Sequence, residues 1–172
     1  MMFADVHGPD GIRAVYADRG LPVTMIGPRP HLVTGGRFGL VAMPNSLGHR
    51  VIDALPRCGP VLGHPHSRRL AFVVAAPALD PPLALLHLLR LHRVVVVAPR
   101  RRVALPCHDG AGLPVLWVNE PRGDAAAPRE AVIIDLALRL SIDRPPPDEM
   151  SRPGERPGTS APPRPPCATR RE

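Results

Sequence analysis

Apolar and polar positions alternate with short periods along most of the chain, and the periods change several times. Gly11 to Arg19 reads as a helix, with Ile12, Val15 and Tyr16 on one face, Asp10 as its N-cap and Gly20 as its stop. Short strands are expected at Pro22–Ile26 and His31–Thr34, around the turn Gly27-Pro28-Arg29-Pro30. After Gly35-Gly36 comes a strand from Phe38 to Met43, ended by Pro44. Asn45 or Ser46 then caps a helix in which Leu47, Val51 and Leu55 repeat at i+4 and Pro56 closes the run.

The second half continues in the same way. Leu70–Ala76 is an unbroken apolar run of strand length. Asp80-Pro81-Pro82 has the composition of a helix start and leads into a Leu-rich stretch to about Arg93. Val94–Ala98, Arg102–Leu105 and Val115–Asn119 read as strands, the last two ending in Pro106 and, after Glu120, Pro121. Phe72 and Trp117 are expected in the core. Residues 129–142 satisfy two periods at once. Val132, Ile134, Leu136, Leu138 and Leu140 alternate as in a strand, but the length and the Asp135–Arg139 spacing favour a helix. Together these elements predict an α+β, sandwich-like fold with a mainly antiparallel or mixed sheet of short strands and about three to four helices.

The pattern stops at Arg144. Residues 144–172 contain nine prolines and almost no aliphatic side chain. Such a segment cannot bury enough surface to offset the entropy of ordering, so one domain over 1–143 and a disordered Pro/Arg-rich tail over 144–172 are expected. With 172 residues, 44% hydrophobic but only 3% aromatic, the core must be made of Val, Leu, Ile and Ala.

The basic residues are all arginine, 22 of them, and give a formal charge of +7. Two readings account for this. Arg, Pro, Ala and Gly share GC-rich codons, so the charge can be codon bias at solvated positions, a reading favoured by the absence of any basic run longer than Arg100-Arg101-Arg102. The other is a phosphate-binding surface. Arg68 and Arg69 beside His66, with Arg100, Arg101 and Arg102, would form a cationic rim for an anion or a nucleic-acid backbone. The five aromatic side chains are too few and too core-like for single-strand binding by stacking.

Catalytic signals are sparse. No Asp or Glu stands two residues from another, so no strand presents two carboxylates on one face to a metal pair. There is no dinucleotide or phosphate loop and no metalloprotease or serine-hydrolase motif. His64 and His66, with Cys107 or His108, are weak candidates for a metal, since no second ligand pair has metal-site spacing. Cys107-His108-Asp109 is a triad in letters only, because neighbours on an extended chain point apart. Cys58, Cys107 and Cys167 suggest no disulfide framework. No cofactor is implied. Leu83–Ala98 is interrupted by His87, Arg90, His92 and Arg93, which argues against a membrane span, and the N-terminus lacks a secretory pattern. A cytoplasmic protein is expected.

The order of segments GLPV, GGRFGLVAMP, LGHRVIDALPRCGPVL, RRLAFVV, RVALP and VLWVNEP resembles small proteins of high-GC Gram-positive bacteria (actinobacteria) related to the N-terminal domain of bifunctional DNA primase/polymerases. The resemblance spans roughly residues 11–142. It implies a primase/polymerase-like α/β core. Catalytic members of that family hold divalent metal with two acids one residue apart and contact nucleotide phosphate with a His. Leu70–Ala76 contains no acid and Asp80 stands alone, so no catalytic residue carries over. The expectation is a non-catalytic domain that binds DNA, nucleotide or a protein partner, the last as a regulatory module. A metal-dependent nucleotidyltransferase is disfavoured by the missing acid pair.

Overall fold

The computed structural model describes residues 2–3, 6–76, 82–107, 115–123 and 127–143. Among these, four helices and eight strands form an α+β fold with two antiparallel sheets. In chain order they are α1 (Gly8–Asp18), β1 (Thr24–Ile26), β2 (Arg29–Val33), β3 (Phe38–Pro44), α2 (Asn45–Ala54), β4 (Val61–His64), β5 (Arg69–Ala75), α3 (Leu83–Leu91), β6 (Val95–Val96), β7 (Arg102–Ala104), β8 (Leu116–Asn119) and α4 (Glu130–Asp143). The small sheet runs β1-β2-β7 and the large one β6-β3-β5-β4-β8.

The large sheet is the middle layer. Its spine is β3 against β5, seven register pairs from Phe38↔Ala75 to Pro44↔Arg69. Both strands are buried on both faces, which is why they read as continuous apolar runs rather than alternating ones. On one face Val41, Met43, Leu70, Phe72 and Val74 meet the apolar sides of α2, α3 and α4. On the other, Leu40, Leu62, Ala71 and Val73 meet α1 and the small sheet.

Several predicted boundaries move for identifiable reasons. α1 begins at Gly8, three residues before the expected start, because Pro9 is compatible with a first helical turn. His7 is therefore the N-cap position, and Asp10 sits inside the first turn, 3.4 Å from Arg13. The stop at Gly20 (φ +73°) holds: Leu21 N–H reaches the Tyr16 carbonyl and Gly20 N–H that of Ala17, the pairing of a Schellman turn. Pro44 occupies the N-cap position of α2, and neither Asn45 nor Ser46 caps it with a side chain. β2 starts at Arg29, paired with Ile26 across the two-residue turn Gly27-Pro28, where Gly27 takes a left-handed φ of +57°. The expected cap Asp80 lies outside the described residues; α3 starts after Pro82. Residues 130–143 are helical, burying Ile133, Ile134 and Ala137 and leaving Val132 exposed. The tail 144–172 lies outside the described residues.

Trp117 corrects the core prediction. It is half-buried on an edge strand, whereas Phe72 is fully buried. Trp117 contributes by polarity as well as area: its indole N–H donates to the Tyr16 hydroxyl at 3.2 Å, and that hydroxyl donates to the Pro106 carbonyl. Phe3 packs on the same phenol at a ring-centroid distance of 5.6 Å. Three of the five aromatics, Phe3, Tyr16 and Trp117, thus converge on one point at α1, while Phe72 packs in the core on the other face of the large sheet.

Burial raises the Tyr16 pKa well above the usual tyrosine value. The neutral phenol stabilises the fold at all pH values below about 10, the unfolded tyrosine pKa, and this contribution is lost as pH rises beyond it. Because Tyr16 is the only tyrosine, its phenolate absorbance should appear together with unfolding, not before it, in an alkaline titration followed by circular dichroism. Tyr16→Phe should cost about 1–3 kcal/mol at neutral pH, because it leaves the Pro106 carbonyl and the Trp117 N–H unpaired. Equilibrium denaturation in urea measures that loss.

Candidate functional site

The arginines singled out in the sequence fall at opposite ends of β3. Arg69 pairs with Pro44 at the C-terminal end. Arg100 and Arg101 bond to Thr34, four residues before the N-terminal end at Phe38. Seven strand residues separate the two ends by about 20 Å. The expected single rim is therefore two separate basic sites.

At the Phe38 end, two chain crossings between the sheets are joined. The Thr34 N–H donates to the Arg101 carbonyl at 3.0 Å, and the Thr34 carbonyl accepts from Arg100 N–H at 2.7 Å. The Thr34 hydroxyl, only 1% exposed with its residue, donates to the Ala98 carbonyl at 2.7 Å and accepts from Arg101 N–H at 3.0 Å. Gly35 (φ +92°) lies so close to Pro99 that a Cβ there would come within 2.4 Å of the proline Cβ. Arg100 itself is held at a left-handed φ of +61°, uncommon for a residue with a side chain. The backbone of Arg100–Arg102 is fixed, while all three side chains are exposed.

Two further arginines join them. Arg37 lies in the β2–β3 turn, its carbonyl accepting from Ala76 N–H at 3.1 Å and its guanidinium 5.3 Å from the centre of the Phe38 ring. Arg129 bridges to Ala75, the residue paired with Phe38. Strand spacing places Arg100, Arg37 and Arg129 across a backbone front of about 15 Å. All five side chains are exposed, and among the described residues none of them forms an ion pair. Sequence reasoning missed Arg37 and Arg129 because each stands alone in the chain; only the pairing of β3 with β5 and the β5–α4 bridge bring them to the crescent.

One acid, Glu130, opens α4 beside Arg129 and turns inward. It is 5% exposed, its Oε2 has no hydrogen-bond partner, and burial raises its pKa above the usual glutamate value. Gly39 lies beside it: a Cβ there would stand in van der Waals contact with Oε2, at 3.4 Å. A carboxyl that is harder to ionise subtracts less from the positive field of the crescent.

At the other end, the loop 65–68 joins β4 to β5 and borders a small cleft of about 230 Å³. Arg68, Arg69, His64 and Asn45 line it, with Leu116 and Val118 from edge strand β8. Arg69 is anchored by one terminal nitrogen to the carbonyls of Arg93 (2.7 Å) and Ala42 (3.2 Å). His66 is exposed in the loop. His64 is half-buried, and burial holds its imidazole below the usual histidine pKa, so it is neutral at pH 7.

The metal candidates are not assembled. Cys107 is buried in the core cluster with Tyr16, its thiol pKa pushed up by burial, away from His64 and His66 on the β4–β5 hairpin. His108 lies outside the described residues. Among the described residues there is no group of three or more His, Cys, Asp or Glu placed to hold a metal ion. Cys58 and Cys107 are free thiols. No described helix is long and apolar enough to cross a membrane. The chain matches no family model, and no curated protein or solved structure is significantly similar to it.

The buried Glu130 gives a direct test of the local electrostatics. With a raised native pKa, the protonated acid carries no penalty below about pH 4.3, the unfolded value, and the penalty grows as pH rises through the native pKa. Glu130→Gln should therefore be more stable than the native protein at pH 7 and equal to it near pH 3.5. Urea unfolding at the two pH values measures the difference.

Proposed function

We propose that this protein acts by binding, and that the arginine crescent of Arg37, Arg100, Arg101, Arg102 and Arg129 receives the phosphate backbone of a nucleic acid. The observation that carries this reading is the convergence of five exposed arginines, none of them in an ion pair among the described residues, on backbone fixed by the Thr34 crossing and by the bridge between Ala75 and Arg129. Guanidinium groups form forked, charge-assisted hydrogen bonds to phosphate oxygens, and a fixed backbone reduces the ordering cost of making several at once.

The contacts available are of the positioning kind. Arginines on an exposed sheet end bind phosphates without reading base edges, so the reading is of weak sequence preference and strong salt dependence. A primase/polymerase-like ancestry agrees with an α+β domain that retains nucleic-acid binding, and the lack of any acid pair along the strands favours a non-catalytic member. Fold alone does not decide function, and the reading rests on the crescent.

Fluorescence anisotropy of the full chain with labelled single- and double-stranded DNA, over a salt series, tests it. Binding should weaken linearly on a log–log plot, with a slope of about −3 to −4 on duplex if four of the five arginines meet phosphates. The double variant Arg101→Glu, Arg102→Glu should weaken binding at least tenfold and flatten the slope by about 2, with an unchanged melting temperature. An absence of DNA binding at low salt would overturn the proposal.

A further inference from the structure

Helix α3 turns an apolar face away from the rest of the protein, and we propose that this face lies on an anionic lipid surface. The association is peripheral. Nine residues rise about 13.5 Å along a helix, far less than the roughly 30 Å of a bilayer core, so α3 lies in the plane of the surface and does not cross it. This role is separate from the crescent and does not rest on nucleic-acid binding.

The four helices differ in what they expose. α1 turns Asp10, Arg13 and Asp18 outward, α2 turns His49 and Asp53, and α4 turns Asp135 and Arg139, the polar outer face usual for a surface helix. α3 instead exposes Leu83, Ala84, His87, Leu88 and Leu91, whose helical spacing places them on one face. Leu83 is 84% exposed, Leu91 69% and Leu88 41%. The helix is anchored on β6 from its other side, where Leu89 is buried and Leu85 packs against the same core. The outer leucines take no part in that core, and contiguous exposed apolar residues of this kind mark contact surfaces.

Charge selects the partner. Between Asp80 and Asp109 the chain has five arginines and no acid. Arg90 is exposed and, seven residues on from Leu83, borders the apolar face. Leucines beside an arginine, with no acid on the segment, are suited to a headgroup layer: the leucines enter the acyl boundary and the guanidinium reaches the lipid phosphates. Shape agrees with this. α3 sits on β6, an edge strand of the large sheet, and presents a convex surface. A protein partner would need a matching groove, whereas lipids rearrange around a helix. A second copy fits less well. It would bring the same cations together with no acid on the segment to pair them, and a nine-residue helix face falls short of the about 800 Å² per partner of a stable dimer.

Co-sedimentation of the full chain with two kinds of vesicle tests the assignment: phosphatidylcholine alone, and phosphatidylcholine mixed with an equal part of phosphatidylglycerol. Binding to the anionic vesicles should exceed binding to the neutral ones by about tenfold or more and weaken with salt. The double variant Leu83→Ser, Leu91→Ser leaves every charge in place and should lower vesicle affinity about tenfold or more, with unchanged circular dichroism and DNA affinity. Leu83→Met, Leu91→Met keeps the face apolar and should bind as the native chain does. Arg90→Gln should weaken binding about fivefold. Sedimentation velocity of the native chain and the serine variant, without vesicles, asks whether a second copy covers the face instead. Three results would overturn the proposal: no retention on anionic vesicles, full retention in the serine variant, which would assign the attraction to surface charge alone, or a native dimer that the serine variant dissolves.

Discussion

Thr34 ties the two sheets of this protein together, and the placement of its charged surface depends on that tie. The chain passes from the small sheet to the large one through residues 34–37 and returns through 97–101. At the meeting point one buried threonine satisfies four backbone groups with its N–H, carbonyl and hydroxyl. A buried polar side chain is tolerable only when its hydrogen bonds are made, and here they are made to the other crossing. Gly35 completes the joint, because no side chain fits against Pro99. The strained backbone of Arg100 is held by the same bonds, so the joint and the basic surface are one feature.

The two ends of the large sheet differ in how they treat charge. At the Phe38 end, exposed arginines are spread over a broad front, and the nearby acid is buried where ionisation is penalised. At the Pro44 end the two neighbouring arginines part: the Arg69 guanidinium crosses β3 to the Ala42 and Arg93 carbonyls, and Arg68 is exposed in the loop beside a shallow cleft walled by β4 and β8. A broad front of like charge suits a polyanion, whose affinity comes from several weak and screened contacts. Sparse aromatics are consistent with this, since Phe3, Tyr16 and Trp117 are committed to one another around the Pro106 carbonyl.

Much of the local structure was legible in the chain. β3 and β5 could be read from apolar runs of strand length, and α1 from the spacing of Ile12 and Tyr16 and the stop at Gly20. For residues 130–143, length and the Asp135–Arg139 spacing outweighed the alternation, and the ion pair forms at 2.9 Å. Helix starts were less legible. Asp10, Asn45 and Ser46 have the chemistry of caps, yet a nearby proline fixed each start instead. Trp117 was misplaced because hydrophobicity does not reveal that β8 is a sheet edge.

The sequence by itself determined the α+β class, most elements and the absence of a paired-acid motif, because these depend on side-chain period, turn chemistry and spacing between near neighbours. The division of the strands between sheets was a tertiary decision. β7 and β8 are consecutive strands in the chain, yet one pairs with β2 and the other with β4. The grouping of charges was decided there too. Arg100–Arg102 and Arg68–Arg69 look like one rim in a linear reading and lie at opposite ends of β3, while Arg37 and Arg129, isolated in sequence, join the first group. Strand register and chain crossings set which distant residues become neighbours, and they arise from burying both faces of the large sheet at once, a condition that no local stretch of sequence expresses.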